Sequence, residues 1–208
     1  MVDPMFAPLP RGRHNLSRDE VVQSQRLRLM VSIADAMTEK GYVGTSVADV
    51  LKRAGVSRET FYQQFTSKLD CFLHAFDLAS EVLLTRVQQA ISQLEGPPLE
   101  RFDQAFAAYI DVLLDQPAMA RVFLVEGYAA GPEAMQRRAE GQARIVDGLV
   151  ELLAVASDED RFACEVLVAA VGSMVTGPLL SGDAKELYQL QDNVVGLVRR
   201  FFVDHAEN

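Results

Sequence analysis

Residues 45–68 read TSVADVLKRAGVSRETFYQQFTSK, and this stretch decides the fold of the N-terminal part of the chain. Four apolar residues recur at the spacing of one helix face and predict a short amphipathic helix: Val47, Val50, Leu51 and Ala54. An Ala-Gly-Val-Ser turn follows, and the next helix places Phe61 and Phe65 one turn apart, directed inward. Two short helices joined by a tight turn, over about residues 46–65, predict a helix-turn-helix, whose second helix enters the major groove of DNA.

Serine residues mark where the predicted helices begin. Two pairs have the spacing of a capping box: Ser17 with Glu20, and Ser46 with Asp49. Ser57 and Ser67 stand at the positions that cap the following helices. Gly55 stands where a helix end often needs a left-handed residue, so it is expected to end the first short helix.

The outward face of the second short helix carries Arg58, Glu59, Tyr62 and Gln63. This arrangement fits a surface that contacts DNA. It is also typical of an ordinary helical hairpin whose outward polar residues are only solvated. The pattern by itself leaves both interpretations open.

The segment closely resembles the TetR family of bacterial transcription regulators over about residues 23–83. The family signature occurs here as four blocks: Gly41-Tyr42, Thr45-Ser46, Ala54-Gly55-Val56-Ser57 and Tyr62-Gln63-Gln64-Phe65-Thr66-Ser67-Lys68. Three departures stand out. Leu51 replaces a small alanine, and Gln63 with Gln64 replaces aromatic or histidine residues. Ala48 replaces a longer polar residue, so its contact with DNA is expected to be missing.

The resemblance implies a three-helix head that binds a double-stranded DNA operator as part of a homodimer. Arg58 is the expected base reader, because its guanidinium fork matches the O6/N7 edge of guanine, and Gln63 is second. Ser46 is expected to offer its hydroxyl or backbone N–H to a phosphate. Four further residues are expected to hold phosphates: Ser57, Thr60, Tyr62 and Lys68.

Helical periodicity continues through the chain, and no stretch alternates convincingly enough for a strand. The predicted fold is all-α with about nine helices. Besides the two short ones, helices are predicted over 18–40, 68–94, 99–115, 117–129, 132–155, 159–180 and 184–204. The predicted organisation is an N-terminal arm (1–16), a helix-turn-helix domain (17–83) and a helical ligand-binding and dimerisation domain (84–208).

The N-terminal arm carries Arg11 and Arg13 just ahead of the first capped helix. One interpretation is a tail with two solvated charges. The other is a DNA-binding arm whose arginines enter the minor groove beside the second short helix.

Charge is distributed unevenly. The net charge is −9, yet residues 1–70 carry ten Lys/Arg and eight Asp/Glu, whereas residues 71–208 carry ten and twenty-one. The asymmetry directs DNA binding to the N-terminal part, because the acidic remainder repels DNA.

Nothing in the sequence favours catalysis. The chain has no glycine-rich phosphate loop and no nucleophile elbow. Its three histidines form no ligand set, so neither a metal site nor a cofactor is expected. Cys71 and Cys164 lie in apolar helical patterns and are interpreted as packed thiols. The chain has no run of 18 apolar residues and its N-terminus lacks a signal core, which predicts a cytoplasmic protein outside the membrane.

Two surfaces of the C-terminal part have expected roles. The last two helices are the expected dimer surface, through small residues and an apolar stripe: Ala169, Ala170, Gly172, Ser173, Leu187, Leu190, Val194, Leu197 and Phe201. Aromatic and methionine residues are expected to line a pocket for a small apolar ligand: Phe102, Phe106, Tyr109, Phe123, Tyr128 and Met174. Glu126 or Arg121 would add polar groups to it. Both patterns also fit packing inside one subunit.

The function predicted from these observations is a ligand-responsive DNA-binding regulator. It is predicted to repress, and to be released from its operator by the ligand, although an activator fits the same sequence. The alternative is a helical binding protein or enzyme with a relic head. A relic is expected to have lost Tyr62 and Lys68, and this chain has both.

Overall fold

The computed structural model describes residues 17–92 and 95–203, and all regular structure within these ranges is helical. The N-terminal half consists of α1 (Arg18–Gly44), α2 (Val47–Ala54), α3 (Arg58–Gln64) and α4 (Lys68–Ile91). We call α1–α3 the head. The arm residues Arg11 and Arg13 lie outside the described residues.

The predicted caps of these four helices are confirmed. Ser17 and Ser46 each form both hydrogen bonds of a capping box, and Ser57 and Ser67 each accept from the third residue of their helix. Gly55 ends α2 with φ 64°, a left-handed conformation. The predicted end of the first helix at residue 40 is confirmed as a break, although a short helical stretch follows it. Gly41 breaks the helix with φ 66° and ψ 175°, but helical structure resumes and continues to Gly44.

The core of the head is closed and apolar. Leu29 and Ile33 of α1, Val50 of α2 and Phe61 of α3 are fully buried. Phe65, directly after α3, packs on Phe61 with ring centroids 5.8 Å apart. The first turns of α4 complete this core, which fixes the angle of α3 against α1.

The C-terminal half, which we call the body, comprises seven further helices and two π-helical turns. In chain order they are α5 (Pro98–Asp115), α6 (Pro117–Arg121), a π turn (Val122–Glu126), α7 (Gly127–Ala130), α8 (Pro132–Leu153), α9 (Asp158–Met174), α10 (Thr176–Ser181), α11 (Ala184–Val198) and a second π turn (Arg199–Val203). Residues 117–130 form one continuous rod, as do residues 158–181. Counted as rods, the described part of the chain has the predicted nine helices.

The apolar stripe predicted on α11 mostly packs inside the subunit. Leu187, Leu190 and Val194 are buried, and α11 lies against α5. Gln191 ties the two helices together, because its Nε2 donates to Asp103 Oδ1 at 2.7 Å. Their assignment to a dimer surface is therefore wrong, and on this helix Leu197 remains exposed.

The exposed apolar surface lies mainly on α9 and α10. It follows one face of the rod and consists of Phe162, Val166, Ala169, Ala170, Ser173, Met174, Gly177 and Leu180. We call these residues the α9 stripe. Within the described ranges, Asp158–Ser181 is long and apolar enough to span a membrane by length and composition alone, and only 33% of its most apolar window is buried. An apolar helix with so much exposed surface is also what an association face requires.

Candidate functional site

The outer face of α3 presents the residues predicted to contact DNA. Arg58, Tyr62 and Gln63 are exposed, and the Tyr62 side chain is 49% exposed although its ring touches Phe61 edge-on. Gln63 Nε2 donates to Glu59 Oε1 at 3.3 Å, one turn back along the helix. The guanidinium of Arg58 has no hydrogen bond within the described residues, so its fork is available.

Two serines predicted to contact phosphate take part in caps. Ser57 Oγ accepts from the N–H of Thr60 at 3.0 Å, and the two hydroxyls lie 2.9 Å apart. Ser46 Oγ donates to Asp49 Oδ2 at 2.6 Å, while Lys40 Nζ donates to Asp49 Oδ1 at 2.6 Å. The hydrogen bonds from Lys40 and then Ser46 hold the pKa of Asp49 well below its usual range. Ser46 and Ser57 are both exposed, at the N-termini of α2 and α3.

Lys68 has partners inside the protein that were not predicted. Its Nζ donates to the carbonyls of Tyr42 at 2.8 Å and Thr45 at 3.0 Å, and it lies 4.1 Å from the centroid of the Tyr42 ring. Partial burial lowers the pKa of this amine. Lys68 therefore adds hydrogen bonds to two carbonyls at the end of α1, and two of its three donors are occupied within the protein.

Arg26 acts in the same way at the end of α3. Its Nη1 donates to the carbonyl of Gln64 at 2.8 Å, and its guanidinium stacks 4.5 Å from the centroid of Phe65. The two cations fasten the C-terminal ends of α1 and α3, and so hold the outer face of α3 on a fixed frame.

A buried carboxylate of the body holds the break in α1. The N–H of Tyr42 donates to Glu126 Oε2 at 2.7 Å, across 84 positions of sequence. Glu126 Oε1 accepts from Arg121 Nε at 2.9 Å, so the carboxylate is both paired and hydrogen bonded. A Cβ at Gly41 would lie 3.5 Å from Glu126 Oε2. We call the Glu126–Tyr42 contact the latch, because it joins the first π turn to the end of α1.

A cavity of about 190 Å³ lies in the body beside the latch. Residues of α4, α5, the first π turn, α8 and α9 line it. Four predicted pocket residues are in its wall: Phe102, Phe106, Tyr109 and Phe123. The remaining lining is mostly aliphatic, including Leu83, Val87, Ile91, Leu149 and Leu167.

Two predicted pocket residues lie outside the cavity. Tyr128 is 63% exposed and Met174 is 54% exposed, and neither belongs to the cavity wall. Met174 belongs to the α9 stripe instead. Glu126 and Arg121 also lie outside the cavity wall, since they pair with each other at the latch.

The polar groups of the cavity wall were not predicted from the sequence, apart from Tyr109. They are Gln88, Tyr109, Arg138, Gln142 and Arg144. Burial raises the pKa of the Tyr109 phenol, which keeps it a hydrogen-bond donor. Arg138 could have been found in the sequence, because it shares the inward face of α8 with Ala134 and Gly141. An arginine on an otherwise apolar helix face indicates a buried charge and so a candidate binding residue.

The head matches a known family model. Residues 30–75 match the model for "Bacterial regulatory proteins, tetR family". The match contains α2 and α3 together with the end of α1 and the start of α4, the same helices that build the exposed face.

Longer similarities extend over the body. The chain is 24% identical over 162 residues to the "HTH-type transcriptional activator FasR" of Mycolicibacterium smegmatis, covering 78% of this chain and 71% of that protein. It is 22% identical over 179 residues to the "HTH-type transcriptional regulator CymR" of Pseudomonas putida, covering 83% and 88%. The fold is similar to that of the transcriptional regulator FadR from Bacillus subtilis, solved in complex with stearoyl-CoA. In that comparison the TM-score is 0.70 at 19% identity, and the coverage is 83% of this chain and 96% of the other.

Proposed function

We infer that this chain, which is a transcriptional regulator of the TetR type, binds its operator as a homodimer and changes its affinity for DNA when a mainly apolar ligand fills the body cavity. The observation that carries this proposal is the latch. It connects a cavity for a small molecule to the frame that holds the exposed face of α3.

The proposed dimer forms through the α9 stripe, with Leu197 and Phe201 at its edge. These apolar side chains lie at the surface of one subunit, where a contiguous patch is typical of an association face. Two α3 helices that read successive major grooves on one face of DNA lie about 34–36 Å apart, one turn of the duplex, and the proposed dimer holds them at this spacing. The operator is then a near-palindrome.

In the proposed complex, Arg58 reads a guanine in the major groove and Gln63 reads a neighbouring base. Ser57, Thr60 and Tyr62 hold phosphates at the N-terminus and outer face of α3, where the helix dipole favours an anion. Ser46 offers its hydroxyl or backbone N–H to a phosphate at the start of α2. We assign Lys68 to the frame rather than to phosphate, because its donors already serve Tyr42 and Thr45.

Release of DNA is proposed to follow from the latch. A ligand changes DNA affinity only if it prefers one conformation of the protein over another. A ligand that moves the first π turn shifts Glu126, which in turn frees the N–H of Tyr42 at the end of α1. Both α4, which lines the cavity, and this latch then transmit the change to the head. A coupling of about 1–3 kcal/mol corresponds to roughly 5- to 150-fold weaker operator binding.

The sense of regulation is proposed to be repression relieved by the ligand. The fold similarity to FadR, which was solved in complex with stearoyl-CoA, supports a ligand with an apolar part. Activation is the second candidate, favoured by one observation: the M. smegmatis relative with 24% identity is named an activator. Transcription from an operator-bearing promoter, measured with and without the protein, separates the two.

The N-terminal arm is proposed to enter the minor groove through Arg11 and Arg13, since narrow grooves attract arginine. Deleting residues 1–15 should weaken operator binding and lower its salt dependence by up to about two charges per subunit. Equal affinities of the full and shortened chains across a salt series would show that the segment is only a tail.

The proposed function is tested by selecting operators from random DNA and measuring affinity at fixed salt. Arg58→Ala should cost about 1–3 kcal/mol on the selected operator and relax the preference at one base position. Arg137→Ala removes the same charge from a surface pair with Asp77 in the body and serves as the matched control. Equal wild-type affinity for operator and random DNA would contradict the proposal.

A further inference from the structure

Arg138 is a buried cation in the wall of an apolar cavity. Its side chain is only 5% exposed, and it projects from α8 between the first π turn and α9. Its Nη1 donates to the carbonyls of Phe123 at 2.9 Å and Leu124 at 3.3 Å. The guanidinium lies 4.8 Å from the centroid of the Tyr128 ring, and a Cβ on Gly172 would lie 3.7 Å from Nη2.

Arg138 has no acidic partner. Within the described residues it forms no ion pair, and its hydrogen bonds go only to neutral carbonyls. Burying a charge is costly unless it is paired. Its Nε and Nη2 donate no hydrogen bond within the described residues, and neither atom is fully buried. Because Arg138 is part of the cavity wall, these donors are accessible to a bound molecule.

The charge of the cavity wall is opposite to that of the chain. The protein carries a net charge of −9, and twenty-one of its acidic residues lie in positions 71–208. Among the described residues that line the cavity, however, there is no Asp or Glu, and the two charged residues are Arg138 and Arg144. An acidic body therefore encloses a cavity that is locally positive.

Neutral donors lie beside the buried cation. Tyr109 is close enough for the charge of Arg138 to oppose the upward shift of its pKa, and Gln142 follows Arg138 by one helical turn. A guanidinium, a phenol and an amide together can donate to both oxygens of one carboxylate. Apart from Gln88 and Arg144, the rest of the wall is apolar.

We propose that the cavity takes an apolar carboxylic acid, whose carboxylate pairs with Arg138 and whose hydrocarbon part lies among Phe102, Phe106 and Leu149. Arg144, which is exposed at the cavity, attracts the acid from solution. This assignment rests on the proposed function, because it names the ligand class of the same cavity. A carboxylate supplies the anion that the wall lacks.

The same guanidinium holds the first π turn. The carbonyls of Phe123 and Leu124 accept from Nη1, whereas an incoming carboxylate binds the free Nε and Nη2. A carboxylate that draws the guanidinium toward the cavity therefore lengthens the hydrogen bonds to both carbonyls and loosens the turn that carries Glu126. An acid head group therefore acts on the latch directly, whereas a purely hydrocarbon ligand fills space without engaging it.

The test uses calorimetry on the full chain with hexanoate, decanoate and palmitate, each compared with its methyl ester, its alcohol and its coenzyme A thioester. At least one acid should bind the wild type more tightly than its ester and alcohol. Arg138→Met should weaken that acid by about 10- to 100-fold, the size expected for a charge-assisted pair. Binding of the methyl ester should change by less than about 3-fold, since the ester does not use the charge.

Two variants control for folding. Arg137→Met removes the neighbouring surface charge and should leave acid affinity unchanged. Arg138→Lys keeps the charge without the fork and should bind the acid with intermediate affinity, which a merely structural role of Arg138 would not produce. Thermal unfolding of each variant verifies that the protein is folded.

Several results would overturn the assignment. They are binding of no acid in the panel, equal losses of acid and ester in Arg138→Met, or a thioester that depends on Arg138 more strongly than the free acid. In each case operator binding by the wild type is measured in parallel. If operator binding is intact, only the ligand assignment is wrong. If operator binding is absent, the proposed function is contradicted as well.

Discussion

The head and the body are both built from amphipathic helices, but the head has a closed core whereas the body contains a cavity. In the head, Phe61 and Phe65 fill a closed core, and Arg26 and Lys68 satisfy the carbonyls at the helix ends. In the body, Phe102 and Phe106 border a cavity, and the α9 stripe leaves apolar surface exposed. The difference indicates that a DNA-reading surface needs a rigid core beneath it. A ligand-responsive domain instead needs an internal cavity and an exposed apolar face for its partner subunit.

The largest expected effect is the loss of dimerisation when the α9 stripe is changed. Val166→Glu places a carboxylate in the α9 stripe, and burying it unpaired between two subunits costs about several kcal/mol. We expect the dimer to dissociate at micromolar concentration, measured by light scattering, and operator binding to fall with it.

The control for this variant is Met135→Glu, which adds the same charge at a partly exposed apolar residue of α8. It should leave the molecular mass unchanged. If the Val166→Glu protein remains dimeric, the association face does not lie on α9.

The second prediction compares the two interiors directly. Phe61→Ala removes a fully buried ring from the closed head and should cost about 3–5 kcal/mol of unfolding free energy. Phe102→Ala enlarges a space that already exists, so its ring has fewer contacts to lose and the cost should be smaller. Urea unfolding measures both. Equal losses of unfolding free energy in the two variants would contradict the difference in packing between the head core and the cavity wall.

The third prediction tests the frame of the head. Lys68→Met keeps the length of the side chain but removes the donors to Tyr42 and Thr45, which should destabilise the protein by about 1–3 kcal/mol. If Lys68 instead served DNA, unfolding free energy would stay constant while the salt dependence of operator binding dropped by about one charge per subunit. Chemical denaturation and a salt series together decide between these roles.

The smallest expected effect is the pH dependence of a cap. The pKa of Asp49 is lowered on folding by hydrogen bonds from Lys40 and Ser46, so its ionised form contributes stability above the unfolded pKa of 3.8. That contribution is lost as the pH falls below this value. Asp49→Asn should therefore melt at a lower temperature than the wild type at neutral pH, and the two melting temperatures should converge under acid conditions. A constant difference at all pH values would assign the effect to packing.

The head could be predicted in detail because its signals are local. Ser17, Ser46, Ser57 and Gly55 act within three or four residues of themselves, and each has the predicted role. Phe61 and Phe65 are buried as their spacing required. The use of Lys68 was missed, since its partners Tyr42 and Thr45 lie more than twenty positions away and are backbone atoms.

The body could be predicted only as a set of helices and a region for a pocket. Phe102, Phe106, Tyr109 and Phe123 line the cavity, whereas Tyr128 and Met174 share their residue type but face outward. Periodicity identifies an apolar stripe, but not whether its neighbour is another helix, a cavity or a second subunit. The stripe of Leu187, Leu190 and Val194 was misassigned for this reason.

The latch was not predicted at all. Glu126, which reaches Tyr42, is the last residue of a π turn within the rod of residues 117–130, and a π turn directs side chains differently from a continuous α-helix. No residue type marks such a turn in the sequence, and the contact spans 84 positions.

The reaction rates of the two cysteines report separately on local opening in the two halves of the molecule. Cys71 lies beside the head core and Cys164 on α9, and neither thiol has any exposed surface. Burial raises the pKa of Cys71 to about 12, so the native thiol is unreactive at neutral pH and reacts only when its surroundings open. The labelling rate of each cysteine thus reports the local opening of its own region. Occupying the cavity should slow the reaction of Cys164, and binding the operator should slow that of Cys71, so a single mass-spectrometric time course resolves how the two halves communicate.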